Sequence, residues 1–230
     1  MEIHPIATFH SPFQTKFGIP KQSGLVAELP GEIVFLPAYR NADYLRGLQD
    51  FDFIWLIWEF SANKHRANSP VVRPPVLGGN ERMGVFATRS PYRPNPLGLS
   101  VVRVDHIEWE TSRGPIVHVR GADLMDGTPI YDIKPYLVYA DAHPGARSGF
   151  VDSRQWPRLR VTIPAKVAAR FPSEQLDALV HTLELDPRPH YHDDPAKVYG
   201  MLYHGHDIHF RVEGNDLFVI DLRPIPDVPL

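Results

Sequence analysis

The chain contains no cysteine. That removes disulfides, thiolate metal centres and cysteine nucleophiles together, and it fits a reducing compartment. Long hydrophobic runs are also missing. No stretch approaches the ~18 apolar residues that a spanning helix needs. Residues 1–12 carry no basic-then-apolar leader pattern. A cytoplasmic chain with no membrane segment is the expectation. Charge of one sign is scarce: the formal net charge is −3 over 230 residues, without the basic excess of a typical nucleic-acid binder. Several signatures are absent too. Without GxGxxG after a strand, a Rossmann dinucleotide or methyltransferase site has no support, and without GxxxxGK[ST] neither has a P-loop. No GxSxG elbow offers a serine nucleophile, and no HExxH offers a zinc helix.

What is present describes a globular chain of one large or two small domains. Hydrophobic residues make up 43% and charged residues 22%, which argues against a mainly disordered chain. Proline is abundant, 24 of 230, about twice the usual ~5%. Prolines interrupt helices and central strands, so a compact β protein with ordered loops is expected. The near-neutral total hides a local excess. Residues 71–103 hold Arg73, Arg82, Arg89, Arg93 and Arg103 against one acid, Glu81, a patch able to steer an anion.

Patterning predicts a first strand within residues 1–10, a loop over 11–31 and a short strand over 32–36. Asn41 is placed to cap a short helix through Leu45 and Leu48. Residues 51–60, FDFIWLIWEF, read as a buried strand, and 83–87 as a short one. Residues 99–109 and 116–119 form a hairpin pair around Ser112–Gly114. Residues 123–135 read as a loop around Asp126-Gly127. Composition shifts over 141–165, which sets a domain boundary or linker near 150–160. A helix follows, with Ser173 as N-cap and Leu176, Leu179, Val180 and Leu183 on one face. A last hairpin joins 207–212 to 217–222.

Several segments carry chemistry-bearing groups on constrained backbone. ATRSPYRPNPLGLS (87–100) holds Arg89 and Arg93 in a proline-restrained loop. Such a loop loses less entropy in one conformation, and arginine recognises phosphate or carboxylate bidentately. An ordinary surface loop with paired arginines reads equally well. Asp126-Gly127-Thr128-Pro129 is a turn by composition. Asp123, Asp126 and Asp132 are three carboxylates in ten residues, without the spacing of a calcium loop. Gln22-Ser23-Gly24 and Arg73-Pro74-Pro75 with Leu77-Gly78-Gly79-Asn80 are further loops, unremarkable alone. The pair His190 and His192, and His204, His206 and His209, share strand-like spacing, but surface or hydrogen-bonded histidines explain them better than a metal. No metal is expected.

Taken together, FGIPKQSGLV (17–26), YLRGLQDFDFIWLIWEF (44–60), VVRPPVLGGN (71–80), RMGVFATRSPYRPNPLGLS (82–100) and GADLMDGTPIYDIKPYLVYAD (121–141) resemble the blocks of one family. It is the TsaA-like (TrmO) family of tRNA adenosine-N6 methyltransferases. The likeness runs from about residue 3 to 145, and 185–222 is similar to the small C-terminal domain of bacterial members. The resemblance implies a mainly β fold: a single-sheeted β-barrel, here residues 1–150, that binds S-adenosylmethionine without a Rossmann sheet. Residues 151–230 would be a linker and a small α+β domain. It implies a homodimer with the cofactor near the subunit interface. It also implies methyl transfer to N6 of threonylcarbamoyl-adenosine at position 37, in the anticodon loop of threonine tRNA.

By match to the family blocks, Gln22, Ser23, Gly24, Ser61, Ala62, Arg89, Leu99, Asp126, Gly127, Thr128 and Pro129 would bind the cofactor. Arg73, Arg93, Lys134 and Arg188 would contact tRNA phosphates. Asp126, Tyr131, Asp132 and Tyr92 are candidates for removing the N6 proton. The sequence departs from the usual pattern at four places. Ser61 and Ala62 stand where many members have a histidine and another polar residue. Phe53 stands where histidine is common, and Val76 replaces a frequent arginine. Two readings of other classes share these features: an RNA-binding module without turnover, and a regulator that binds S-adenosylmethionine.

Overall fold

The structure is a computed structural model that describes residues 2–63, 69–74, 77, 81–152, 157–189 and 194–225. The Val76 departure, the Gly78–Asn80 stretch, His190 and His192 lie outside those residues.

Six strands close into a barrel in the order β1-β2-β7-β6-β3-β8. They are β1 (Ala7–His10), β2 (Pro30–Phe35), β3 (Phe53–Glu59), β6 (Leu97–Glu108), β7 (Ile116–Arg120) and β8 (Thr128–Pro135). Successive strand residues face opposite sides, and β3 shows why this sequence closes. Ile54, Leu56 and Trp58 are buried inside. Phe53, Trp55 and Ile57 alternate with them on the outer face. Phe9, Ile33, Phe35, Val102, Val117, Val119 and Ile130 complete the interior. The aromatic run is therefore two-faced rather than wholly buried. A two-stranded ribbon, β4 (Val71–Val72) with β5 (Met83–Gly84), stands beside the barrel.

Residues 123–135, read above as a loop, hold the strand that completes the barrel. β8 pairs with β1 on one side and β3 on the other. Its prolines, Pro129 and Pro135, fall near the strand's two ends, where a missing N–H costs little. Asn41 caps as expected, its Oδ1 accepting from Asp43 N at 2.9 Å, but over single 3₁₀ turns.

The second unit is a four-stranded sheet, β10-β11-β12-β9. Its strands are β9 (Arg160–Thr162), β10 (Tyr199–Tyr203), β11 (His206–Glu213) and β12 (Asp216–Pro224). β11 and β12 form the expected hairpin, whereas β9 and β10 were not signalled by pattern. Two short helices, α1 (Val138–Asp141) and α2 (Ala165–Ala168), precede α3 (Ser173–Glu184). Helix α3 buries Ala178, Leu179, Thr182 and Leu183. Ser173 is its first residue rather than its cap: Pro172 occupies the capping position and offers no side-chain bond.

The two cores do not separate at one point in the chain. Phe13, Val26 and Leu29, with Phe17 and Ile19 partly buried, belong to the core of the second unit. Phe13 packs on Tyr203 at 5.5 Å between ring centroids, and Phe17 stacks on Tyr199 and Phe210. Polar contacts reinforce this seam. Arg120 of β7 reaches Asp105 at 3.3 Å, the Glu28 carbonyl at 3.3 Å and Glu174 of α3. His181 of α3 meets Glu28 at 3.1 Å.

Candidate functional site

A cleft of about 2620 Å³ opens between one end of the barrel and the second unit. Its walls come from the loop after β1, the end of β3, the β4–β5 ribbon, the 86–95 loop, the start of β6 and the 121–128 turn. Arg158, Leu185, Arg188 and Asn215 close the far side. The local sequence explains why these loops hold still. Thr88 Oγ1 donates to the Val85 carbonyl and accepts from Ser90 N, and Arg93 donates to the Thr88 carbonyl at 3.1 Å. Pro91, Pro94 and Pro96 restrict the remaining backbone.

The wall nearest the barrel holds a continuous polar chain. Trp58 Nε1 donates to Ser100 Oγ at 3.0 Å, and Ser100 Oγ donates to Asp123 Oδ1 at 2.5 Å. Ser100 is buried within an otherwise apolar strand face. The Arg89 guanidinium and the Ser23 backbone N–H also face the Asp123 carboxylate. Arg89 in turn donates to the Gln22 side chain. Burial pushes the Asp123 carboxyl above its ordinary value; Ser100, its own backbone N–H, Arg89 and Ser23 pull it back only in part. Farther along, Asn63 lines the cleft, and its Nδ2 is buried with no hydrogen-bond partner among the described residues. Its Oδ1 accepts from Lys16.

Of the residues matched to the cofactor blocks, Gln22, Ser61, Ala62, Arg89, Leu99 and Thr128 line this cleft. Ser23 sits beside Asp123. Gly24 lies behind, its N–H bound to the Gly121 carbonyl at 2.8 Å. Asp126, Gly127 and Pro129 are outside the lining. Asp126 accepts from Ser11 N at 3.1 Å and meets His10 Nδ1 at 3.0 Å; Gly127 N donates to the Phe9 carbonyl. Thr128 is buried, and its hydroxyl donates to the Met125 carbonyl. Tyr131 donates to Glu59 at 2.6 Å; that bond first, then burial, pushes its phenol up to about 12. It is a proton donor at neutral pH. Asp132 pairs with Lys134 at 3.1 Å, away from the cleft. Arg73, Arg93 and Arg188 line the cleft, and Asp186 grips Arg188 with both oxygens at 2.9 Å. Among the described residues, no three histidine or carboxylate groups converge as metal ligands would.

Sequence reading passed over Asp123 as a site residue, and Ser100 with it. One signal was available: a serine at an inward position of a strand, two residues from the glycine that pairs with a tryptophan whose N–H needs an acceptor. Phe86 was also missed. It is 79% exposed and lines the cleft, with no periodicity to mark it.

A closed barrel with a cleft at one end that holds arginines, a half-buried carboxylate and a buried amide donor has the chemistry to take a polar, charged small molecule. Comparison with known proteins places the chain among relatives. Residues 8–142 match the family model described as the tRNA-methyltransferase O N-terminal domain, and residues 157–225 match the TrmO C-terminal domain. The chain belongs to this family. It is 36% identical over 233 residues to the tRNA (adenine(37)-N6)-methyltransferase of Escherichia coli (strain K12), covering 97% of this chain and 98% of the relative. It is 36% identical over 148 residues to a probable S-adenosyl-L-methionine-binding protein of Pyrococcus abyssi, covering 64% and 74%. A crystal structure of TrmO from Pseudomonas aeruginosa superimposes with a TM-score of 0.77 at 30% identity, covering 96% of this chain and 98% of that one.

Proposed function

We propose that this chain transfers the methyl group of S-adenosylmethionine to N6 of adenine 37 in tRNA. The acceptor would be the threonylcarbamoyl-modified adenosine of threonine tRNA. The observation that carries this is the cleft itself, whose lining brings family-matched cofactor residues (Gln22, Arg89, Leu99, Thr128) together with Arg73, Arg93 and Arg188. The residues present fit the cofactor. Its carboxylate calls for a cation, which Arg89 of the cleft lining supplies. Its other polar atoms call for donors, and Asn63 Nδ2 is a buried donor awaiting an acceptor.

The bound cofactor supplies an electrophilic methyl on sulfur. The chain supplies alignment, which alone carries much of such a displacement. Gln22, Arg89 and the Ser61–Asn63 segment, all in the cleft lining, would hold the cofactor. The anticodon loop presents bases already partly unstacked, and Arg73, Arg93, Lys134 and Arg188 would hold its phosphates. Residues 1–150 would carry the chemistry, with 151–230 as linker and small C-terminal domain. Self-association through the outer barrel face is part of the reading. Trp55, Ile57 and Val101 adjoin Leu99, 56% exposed, in one apolar stripe over paired strands. The chain would work in the cytoplasm.

The test is incubation with S-adenosylmethionine and threonylcarbamoylated threonine tRNA, followed by nucleoside mass spectrometry. One added methyl on that nucleoside is expected. Arg89→Ala should weaken cofactor binding at least about tenfold, the loss of one charge-assisted contact. Binding of cofactor with no transfer to any tRNA would favour a regulator. Salt-sensitive RNA binding that ignores the cofactor would favour a module without turnover.

A further inference from the structure

Three carboxylates line the cleft among the described residues: Glu59, Asp123 and Asp186. Two are committed. Glu59 holds the Tyr131 phenol at 2.6 Å. Asp186 clamps Arg188 with both oxygens. Asp123 is engaged differently. Its side-chain hydrogen-bond donor is the neutral Ser100 hydroxyl, itself oriented by the Trp58 indole from inside the barrel; backbone N–H groups of Ser23 and Asp123 add to it. Arg89 faces it as well, but donates to Gln22. This relay starts in the rigid core and ends on a half-buried carboxylate in the cleft wall. A carboxylate spent on a structural ion pair has no use for such an arrangement.

We infer that Asp123 is the general base of methyl transfer, the group that takes the proton from N6 of the acceptor adenine. The inference rests on the methyltransferase reading above. In the step, the N6 lone pair forms the new N–CH₃ bond while the S–CH₃ bond breaks and its electron pair stays on sulfur. The N6 proton passes to Asp123, which afterwards releases it to water. An exocyclic nitrogen whose lone pair is delocalised is a weak nucleophile, so removing its proton as the bond forms is where a positioned base contributes, about 10²–10⁴-fold. Burial raises the carboxyl above its ordinary value, which makes its ionised form a better proton acceptor. Ser100, Ser23 and Arg89 favour that ionised form.

The decisive variant is Asp123→Asn, which keeps the shape and the oxygen that accepts from Ser100. Wild-type turnover is measured first; its absence would sink the methyltransferase reading, not this one. Given turnover, Asp123→Asn should lower kcat at least about 100-fold, with cofactor and tRNA affinity held within about threefold and the melting temperature unchanged. A variant within about threefold of wild-type kcat overturns the assignment. Equal losses in binding and turnover would do so too, making Asp123 a structural hub. A second variant decides the matter even if the first fails to fold. Ser100→Ala removes a donor that favours the ionised carboxylate. The acid limb of the wild-type pH–kcat profile should therefore move to higher pH, and the Asp123 carboxyl of the cofactor-free protein should shift the same way by heteronuclear NMR. A limb that stays in place while that resonance moves rules Asp123 out.

Discussion

Gly98 is the position where one added carbon is expected to matter most. It lies in β6 directly across from Trp58 in the register of β3. A Cβ there would sit 2.2 Å from Trp58 Cε2, 2.4 Å from Cζ2 and 2.7 Å from Cδ2. The indole cannot swing away freely, because Phe60 packs on it at 4.3 Å between centroids and Ser100 holds its N–H. Strand propensity favours alanine over glycine by up to ~1 kcal/mol. Against that stand overpacking, about 1–3 kcal/mol, and a buried N–H pulled off its acceptor, about 1–3 kcal/mol. The balance for Gly98→Ala is a loss of about 2–4 kcal/mol. At about 2–4 °C per kcal/mol for a chain of this size, the melting temperature falls by roughly 5–15 °C. The control is Gly84→Ala, where φ is −57° and a Cβ meets nothing within 4 Å; it should stay within about 0.5 kcal/mol. Urea and thermal unfolding of both variants provide the measurement, with near-ultraviolet dichroism reporting the indole. Equal melting of the two variants would show that Trp58 yields, and that the Trp58–Ser100–Asp123 chain is not rigid.

Two further predictions concern the seam between the units. Arg120→Ala removes a side chain only 18% exposed that ties Asp105 and the Glu28 carbonyl together, and should cost about 1–3 kcal/mol in urea unfolding. Glu174→Gln, at a partner 60% exposed, should cost under about 1 kcal/mol; the reverse order would refute this ranking. His204 is depressed to about 4, first by burial and then by His206. The unfolded chain therefore binds this proton first as pH falls, so stability present above about pH 6.5 declines toward pH 4. His204 has φ +46°, a region asparagine tolerates, so His204→Asn should flatten that decline in melts taken at pH 7 and pH 5. An unchanged slope would assign the acid sensitivity elsewhere.

The barrel was legible where β-branched and aromatic runs are long. The apolar run of β3 marked a strand without showing its two faces, and the β6–β7 hairpin was marked by the turn residues between its runs. β8 was hidden because its two prolines read as loop, although both fall where the ladder tolerates them. β9 has three residues, too few for a pattern. The aromatics of residues 13–17 carry no period because they fill gaps in a sheet made from the other end of the chain. At the site, the constrained arginine loop was visible as composition. Asp123 was visible as an acid but not as the end of a relay, because its meaning depends on Ser100 and Trp58, which only barrel closure brings beside it.

The loop that crosses from the barrel into the second unit makes the cleft depend on both cores. Phe13, Phe17, Val26 and Leu29 are packed with β10 to β12, and Gln22 and Ser23 lie between them in the chain. Gln22 accepts from Arg89 and Ser23 faces Asp123. Loosening of the second sheet is therefore transmitted along this loop to the cleft, so damage far from the site is felt inside it.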